Sequence, residues 1–354
     1  MTARALGKVR KIAVFRPSAL GDFIFCLPAL HALRGAYPGA EIVYLGQRWH
    51  VAFLEQRRGP VDRVAVVPPL PGIGAPDDSS TAPPAVAFYE AMQSERFDLA
   101  LQMYGGGRHA NPVVQRFEAC MSVGMRTPDA APLSRTLPYQ GAVNRRLQLL
   151  EVASLAGAQH WPMSARLHVT AVDRELAAQV LPDLGKRALV LLQPGSNDAR
   201  RCWPAARYAA LADALTEQGA CVAINGSAAE APLVRAVLQS MRHRALDLSG
   251  KLSLAGLCGL LQRCSMVVSN DTGPLHLALE IGVPSVGIYW FTNLIESAPL
   301  RQEHHRAAVS LRVACPVCGA ENLAHRCEHD VSFVADVALE EVTALAMALY
   351  RDTA

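Results

Sequence analysis

Thr272 and His276 stand four residues apart in the run Asn270-Asp271-Thr272-Gly273-Pro274-Leu275-His276, at the start of an apolar, helix-spaced stretch. That spacing puts both on one helix face. Near a helix N-terminus, unpaired N–H groups and the helix dipole favour an anion. The chemistry this suits is holding phosphate, as part of a nucleotide or a sugar phosphate. Pro274 in the first turn and Gly282 past the end are what any such helix needs; Asp271, Thr272 and His276 together are more than that.

Other loops carry suitable residue types. Ser18-Ala19-Leu20-Gly21-Asp22 brings a carboxylate to a helix start, where it can cap the helix or line a crevice at the first strand-to-helix crossing of its sheet. Gln193-Pro194-Gly195-Ser196-Asn197 leads into Arg200 and Arg201, which can meet phosphate through paired N–H donors. Asn225 to Glu230 ends in an acid placed to accept from ribose hydroxyls. Tyr104 to Pro112, with Arg108, His109 and Asn111, reads equally as a crevice lining or a tight loop. Cys315 and Cys318, with Cys327 and either His325 or His329, have the ligand types of a structural zinc site. Free thiols packing a loop, or a redox pair, account for the same residues.

Such loops need strand ends to hold them. Strands are expected at Lys11–Phe15, Glu41–Leu45, Arg63–Val67 and Phe97–Met103, with helices at Phe23–Tyr37 and Ala142–Ala156. Around Ala165–Val172 the chain is expected to enter a second domain, with Asp173 capping the next helix. There the strand Ala188–Gln193 opens a second alternation. Its strands fall near 220–224, 245–248, 266–269, 285–289 and 307–312, and its helices near 204–218, 229–241, 253–263 and 274–282. Alternation of this kind predicts parallel sheets in two doubly wound α/β halves. Residues 68–84, rich in Pro, Gly, Ser and Asp, read as an exposed, mobile loop. Neither half carries a dinucleotide or Walker A motif.

A chain of 354 residues with 51% hydrophobic and 18% charged residues suits two domains with real cores. A net charge of +3 is too small to argue for nucleic acid. The pairs Arg57-Arg58 and Arg145-Arg146 could meet a phosphorylated partner or, peripherally, the inner membrane surface, though solvated surface accounts for most such arginines. The basic first ten residues lack a signal peptide's apolar core and no run is long enough to span a bilayer, so a cytoplasmic location is expected. Cys26, Cys120, Cys221, Cys258 and Cys264 sit singly in apolar contexts and read as reduced, buried thiols.

Arg16–Asp22, Gln193–Ser196 through Trp203-Pro204, Gly226–Glu230 and Asn270–His276 together resemble glycosyltransferase family 9, the ADP-heptose:lipopolysaccharide heptosyltransferases. The resemblance implies a GT-B fold, two facing Rossmann-like domains with an interdomain cleft. Residues 1–170 would receive the acceptor and 171–335 the nucleotide-sugar, while a last helix within 336–354 could pack back on the first domain. It further implies Asp22 as catalytic base, Glu230 on the ribose, and Asp271, Thr272, Gly273 and His276 on the diphosphate and sugar. Ser196, Arg201 and Leu275 would join them on the donor side, and Ser18, Arg108, His109 and Asn111 would lie on the acceptor side. The implied reaction is an inverting transfer from ADP-heptose to a phosphorylated glycolipid or glycan such as the lipopolysaccharide core. It needs no cofactor or catalytic metal, and no Asp-x-Asp pair occurs in the chain. Arg201 stands where the family commonly has lysine, and the Tyr104–Pro112 loop differs from that of the core heptosyltransferases. A nucleotide-sugar epimerase on the same fold, or a non-catalytic nucleotide-sugar-binding protein, is the alternative.

Overall fold

The computed structural model describes residues 8–55, 57–77, 83–161, 167–323 and 325–353. The chain divides into two compact units, Met1–Ala165 and Arg166–Ala354. The division falls within 162–166, outside the described residues, at the start of the expected crossing.

The first unit is a six-stranded parallel sheet of β1 (Lys11–Phe15), β2 (Glu41–Gly46), β3 (Arg63–Val66), β4 (Leu99–Gln102), β5 (Met121–Arg126) and β6 (Arg135–Pro138). Its spatial order is β3-β2-β1-β4-β5-β6. Val14 pairs with Tyr44 on one side and Leu101 on the other, which makes β1 the central strand. Helix α1 (Leu20–Ala36) follows β1 and is apolar almost all round, as a buried helix must be. Phe23, Ile24, Leu27, Leu30 and Leu33 are buried along it, each stabilising by about 1.5–3 kcal/mol.

The second unit repeats the plan with β7 (Leu189–Gln193), β8 (Cys221–Ile224), β9 (Leu246–Asp247), β10 (Cys264–Asn270), β11 (Ser285–Trp290) and β12 (His305–Ser310). Its order is β9-β8-β7-β10-β11-β12, again parallel, with β7 central. Helix α2 (Gly273–Ile281) leaves β10 and stops at Gly282, whose φ of 93° is the left-handed turn that glycine adopts without strain.

Several expectations change. Helix α1 begins at Leu20, with Ala19 as its N-cap, so Asp22 lies inside the first turn and does not cap. Thr170 caps the helix Ala171–Ala178, and Asp173 answers from three residues later as the other half of a capping box. The last helix, α3 (Leu339–Thr353), does not reserve its apolar face for the first domain. Val342, Ala346, Leu349 and Tyr350 are built into the second unit's core with Trp203, Val268 and Ile288. The loop expected over 68–84 is partly core, since Leu70 and Ile73 are buried against Phe88 and Phe97. Residues 78–82 lie outside the described part.

Of the four paired arginines, Arg57 and Arg146 are buried, their guanidinium groups 4.3 Å over Phe53 and 4.6 Å over Phe25. Those two cannot serve an anionic surface. Cys120 is exposed, whereas Cys26, Cys221, Cys258 and Cys264 are buried. Burial pushes the Cys26 thiol up to about 12. No helix among the described residues is long and apolar enough to cross a membrane.

Candidate active site

In each unit the central strand marks the point where strand order reverses, and the loops leaving there frame a crevice in folds of this kind. In the second unit these loops follow β7 and β10. The Asn270 amide is fully buried between them: Nδ2 donates to Pro194 O at 2.6 Å, and Oδ1 accepts from Trp203 N at 3.1 Å. One side chain therefore fixes both ends of the 194–203 segment. Within that segment Arg200 is taken up by Asp198, Nη2 to Oδ2 at 2.7 Å, and lies 5.4 Å over the Trp290 ring. Burial would raise the Asp198 carboxyl, but the hydrogen bonds and charge of Arg200 outweigh it and hold it low.

Arg201 is the arginine that turns to the start of α2. Its Nη1 lies 3.4 Å from Asp271 Oδ2, and its Nε is buried with no hydrogen-bond partner among the described residues. Asp271 Oδ1 faces His276 Nε2 at 2.9 Å and accepts from Ser297 Oγ at 2.9 Å. The carboxylate is almost wholly buried. Desolvation pushes its pKa up, yet the hydrogen bond and charge of His276, the charge of Arg201 and the Ser297 hydroxyl more than reverse this. Asp271 is thus a hub that holds a cation and an imidazole at a helix start.

Thr272 is the N-cap of α2, in extended conformation, and its side chain does not cap its own helix. Leu275 N and His276 N both turn back to Thr272 O, at 3.1 and 3.3 Å. The N–H of Gly273, the first helical residue, has no acceptor within the helix. Leu275, expected on the donor side, is fully buried and anchors the helix; it has no side-chain surface for a ligand. Ser196 is partly exposed, with Oγ 3.4 Å from Asp198 N.

Glu230 reaches back to Ser227 N through Oε2 at 2.7 Å, the reciprocal arm of a capping box. Its other oxygen lies over Gly195, where a Cβ would fall 1.8 Å from Oε1. Only glycine allows this carboxylate to lie across the loop after β7.

In the first unit Arg16 is the organiser. Its buried guanidinium donates from Nε to Asp22 O at 2.8 Å, from Nη2 to Asp22 Oδ1 at 3.0 Å, and from Nη1 to Met103 O. The loop after β1, the first turn of α1 and the end of β4 are joined by this one side chain. Asp22 keeps 49% of its side chain exposed. Ser18 is buried. Arg108 and His109 are engaged near Asp77, His109 Nδ1 at 3.1 Å from Oδ1, with Asp129 3.9 Å from Arg108. Asn111 is fully buried and donates to Met125 O and Ala131 O, so it can affect an acceptor only through the loop it braces.

Sequence reasoning did not find the positioning roles of Arg16, Asn270, Asp198 and Ser297. Arg16 and Asn270 lie inside the recognised runs, where their neighbours drew attention. Ser297 ends a helix, Phe291–Ser297, to which no pattern pointed.

Cys315, Cys318, Cys327 and His329 each offer one ligand atom, and these four atoms lie within 4.8 Å of one another. His325 is exposed and outside this group.

Two Rossmann-like units, one with an anion-ready helix start and the other with a solvent-facing carboxylate, are the parts of a glycosyltransferase. The chain belongs to glycosyltransferase family 9 (heptosyltransferase), whose model matches residues 85–345. It is similar to lipooligosaccharide heptosyltransferase 2 of Haemophilus influenzae, 34% identical over 123 residues, covering 33% of this chain and 35% of that one. Similarity to the lipopolysaccharide core heptosyltransferase OpsX of the same organism is longer and weaker: 21% over 305 residues, 82% of each chain. Among solved structures, the Escherichia coli ADP-heptose lps heptosyltransferase II superposes with a TM-score of 0.74 at 19% identity, covering 97% of this chain and 99% of that one.

Proposed function

We propose that this glycosyltransferase moves heptose from ADP-heptose onto a lipopolysaccharide core acceptor, inverting the anomeric carbon without a catalytic metal. The observation that supports it most is the hub at Asp271, which holds Arg201 and His276 at the open start of α2. Asp271 is too buried, and too negative, to meet a diphosphate itself. It acts as a positioning residue for Arg201 and His276. The Thr272 and Gly273 N–H groups and the Arg201 guanidinium then receive the charge that grows on the departing diphosphate oxygen. Glu230, held over Gly195, is placed for ribose hydroxyls.

Asp22 from the first unit is the base. The acceptor hydroxyl gives its proton to the carboxylate as its oxygen bonds the anomeric carbon and the sugar–phosphate bond breaks. Arg16 fixes one carboxylate oxygen and leaves the side chain half open to an incoming hydroxyl. Heptose and the core acceptor come from the names of the relatives and the family resemblance, since no residue here reads adenine by itself.

The test is transfer from ADP-heptose to a heptose-deficient core acceptor, with the product's anomeric configuration read by NMR. Asp22→Asn is expected to lower kcat by a factor of about 10²–10⁴, with ADP affinity unchanged by calorimetry. Full transfer by that variant refutes the base assignment, and rates that require added magnesium refute metal independence. Stronger thermal stabilisation by UDP- or GDP-sugars than by ADP-heptose would replace the donor.

A further inference from the structure

The cysteine-rich segment after β12 has no part in the transfer chemistry. We propose that Cys315, Cys318, Cys327 and His329 hold a structural zinc ion that fastens this segment beside the arginine turn of residues 198–201. This inference is independent of the donor and acceptor assignments.

Three thiols and an imidazole, with mutual ligand distances all within 4.8 Å, enclose a point that suits a small tetrahedral cation. A zinc ion with four such ligands would set neighbouring ligand atoms about 3.8 Å apart, so modest closure completes the site. The Cys315–Cys318 arm is already shaped for metal. Cys315 N donates to Ala320 O at 2.8 Å and Gly319 N to Cys315 O at 2.9 Å, with Gly319 at φ 73°. Val317 N points at Cys315 Sγ, 3.5 Å away. The second arm has its own support, because buried Asn322 donates to Cys327 Sγ at 3.4 Å and accepts from Cys327 N at 3.2 Å. Donors aimed at sulfur stabilise thiolates and orient them, as outer partners of metal ligands do. His329 Nδ1 is buried with no hydrogen-bond partner among the described residues.

A loop packed by plain thiols needs none of this convergence, and a disulfide would use only two of the four groups. With all four positions filled by protein the site is closed, which marks a structural ion and leaves no place for substrate. Binding would release a proton from each thiol to water and leave a net charge of −1 at the ion. The segment meets the arginine turn through Arg326, which lies 3.9 Å from Asp198, the partner of Arg200. The segment is also tied on by Phe333 N, which donates to Arg200 O at 2.8 Å. Cys315 is buried in the second unit's core, so the ion would link that core to the loop.

The experiment is elemental analysis of the full chain, purified without chelator or a metal-affinity step. About one zinc per chain is expected. Cys318→Ser, chosen because Cys318 is exposed and its loss spares the core, is expected to cut the zinc at least tenfold. His325→Ala, outside the cluster, should retain it. Cobalt exchanged into the wild-type chain should give the visible absorption of a tetrahedral thiolate site, and Cys318→Ser should not. Zinc below one tenth per chain, equal zinc in wild type and Cys318→Ser, iron in its place, or a Cys315–Cys318 disulfide in the purified chain would each overturn the proposal.

Discussion

At the scale of single residues, the site depends on side chains that never need to touch substrate. Gly195 shows this most simply. Gly195→Ala would drive a methyl into the Glu230 carboxylate, so donor KM is expected to rise at least tenfold while kcat at saturation changes little. Steady-state kinetics over a range of ADP-heptose reads this directly, and Glu230→Gln should mimic it. Asp271 carries a pH signature as well. Its folded pKa lies below the unfolded value, so the unfolded chain binds more protons. Its share of stability is therefore present above about pH 4 and lost as pH falls further. Removing its charge with Asp271→Asn leaves Arg201 and His276 without their partner and should destabilise the fold by roughly 3 kcal/mol in urea unfolding at pH 7. His50 sets a second window. Burial against Trp49 and Phe23, with the charge of Arg16, lowers it to about 4 despite the hydrogen bond that Gln47 N gives its Nδ1. The unfolded chain again binds the extra proton, so stability should fall as pH drops from about 6.5 to about 4, by about 3 kcal/mol. His50→Phe should flatten that limb in urea titrations followed by tryptophan fluorescence.

At the scale of elements, the legible parts of the sequence were those with one dominant local signal. Apolar runs bounded by turn residues gave the central strands β1, β2, β7, β10 and β11, and Pro274 with Gly282 framed α2. β5 and β6 were not read, because Met121–Arg126 mixes polar and apolar residues and Arg135–Pro138 is a half-exposed edge. The short helices Arg48–Leu54 and Pro83–Ser94 were passed over for the same reason: their order comes from what they pack on. Site residues were legible as types and unreadable as roles. Nothing local in Asn111 says that its amide will be spent on two carbonyls, or in Leu275 that it faces inward. Helix α3 had a clear apolar face but no local mark of its partner. Since that face lies in the second unit's core, Leu349→Ala is expected to cost about 2–4 kcal/mol. Thermal unfolding should show the loss.

At the scale of the whole molecule, two copies of one sheet order each enclose their own core. The groups proposed for the donor side, Gly195, Arg201, Glu230, Asp271 and Gly273, all belong to the second unit, and Asp22 with Arg16 to the first. Residues 166–354 expressed alone should fold and bind ADP within tenfold of the full chain, yet transfer nothing; circular dichroism and calorimetry suffice to check this. The Asn270 clamp has a consequence in time. The two contacts that fix the arginine turn reach across 67 and 76 residues of chain. During synthesis, with the amino-terminal part emerging first, Arg200 and Arg201 leave the ribosome long before the asparagine that will set them in place. The proposed nucleotide site is therefore among the last features of the enzyme to mature, and a nascent chain halted short of β10 carries the arginines without the geometry that sets them in place.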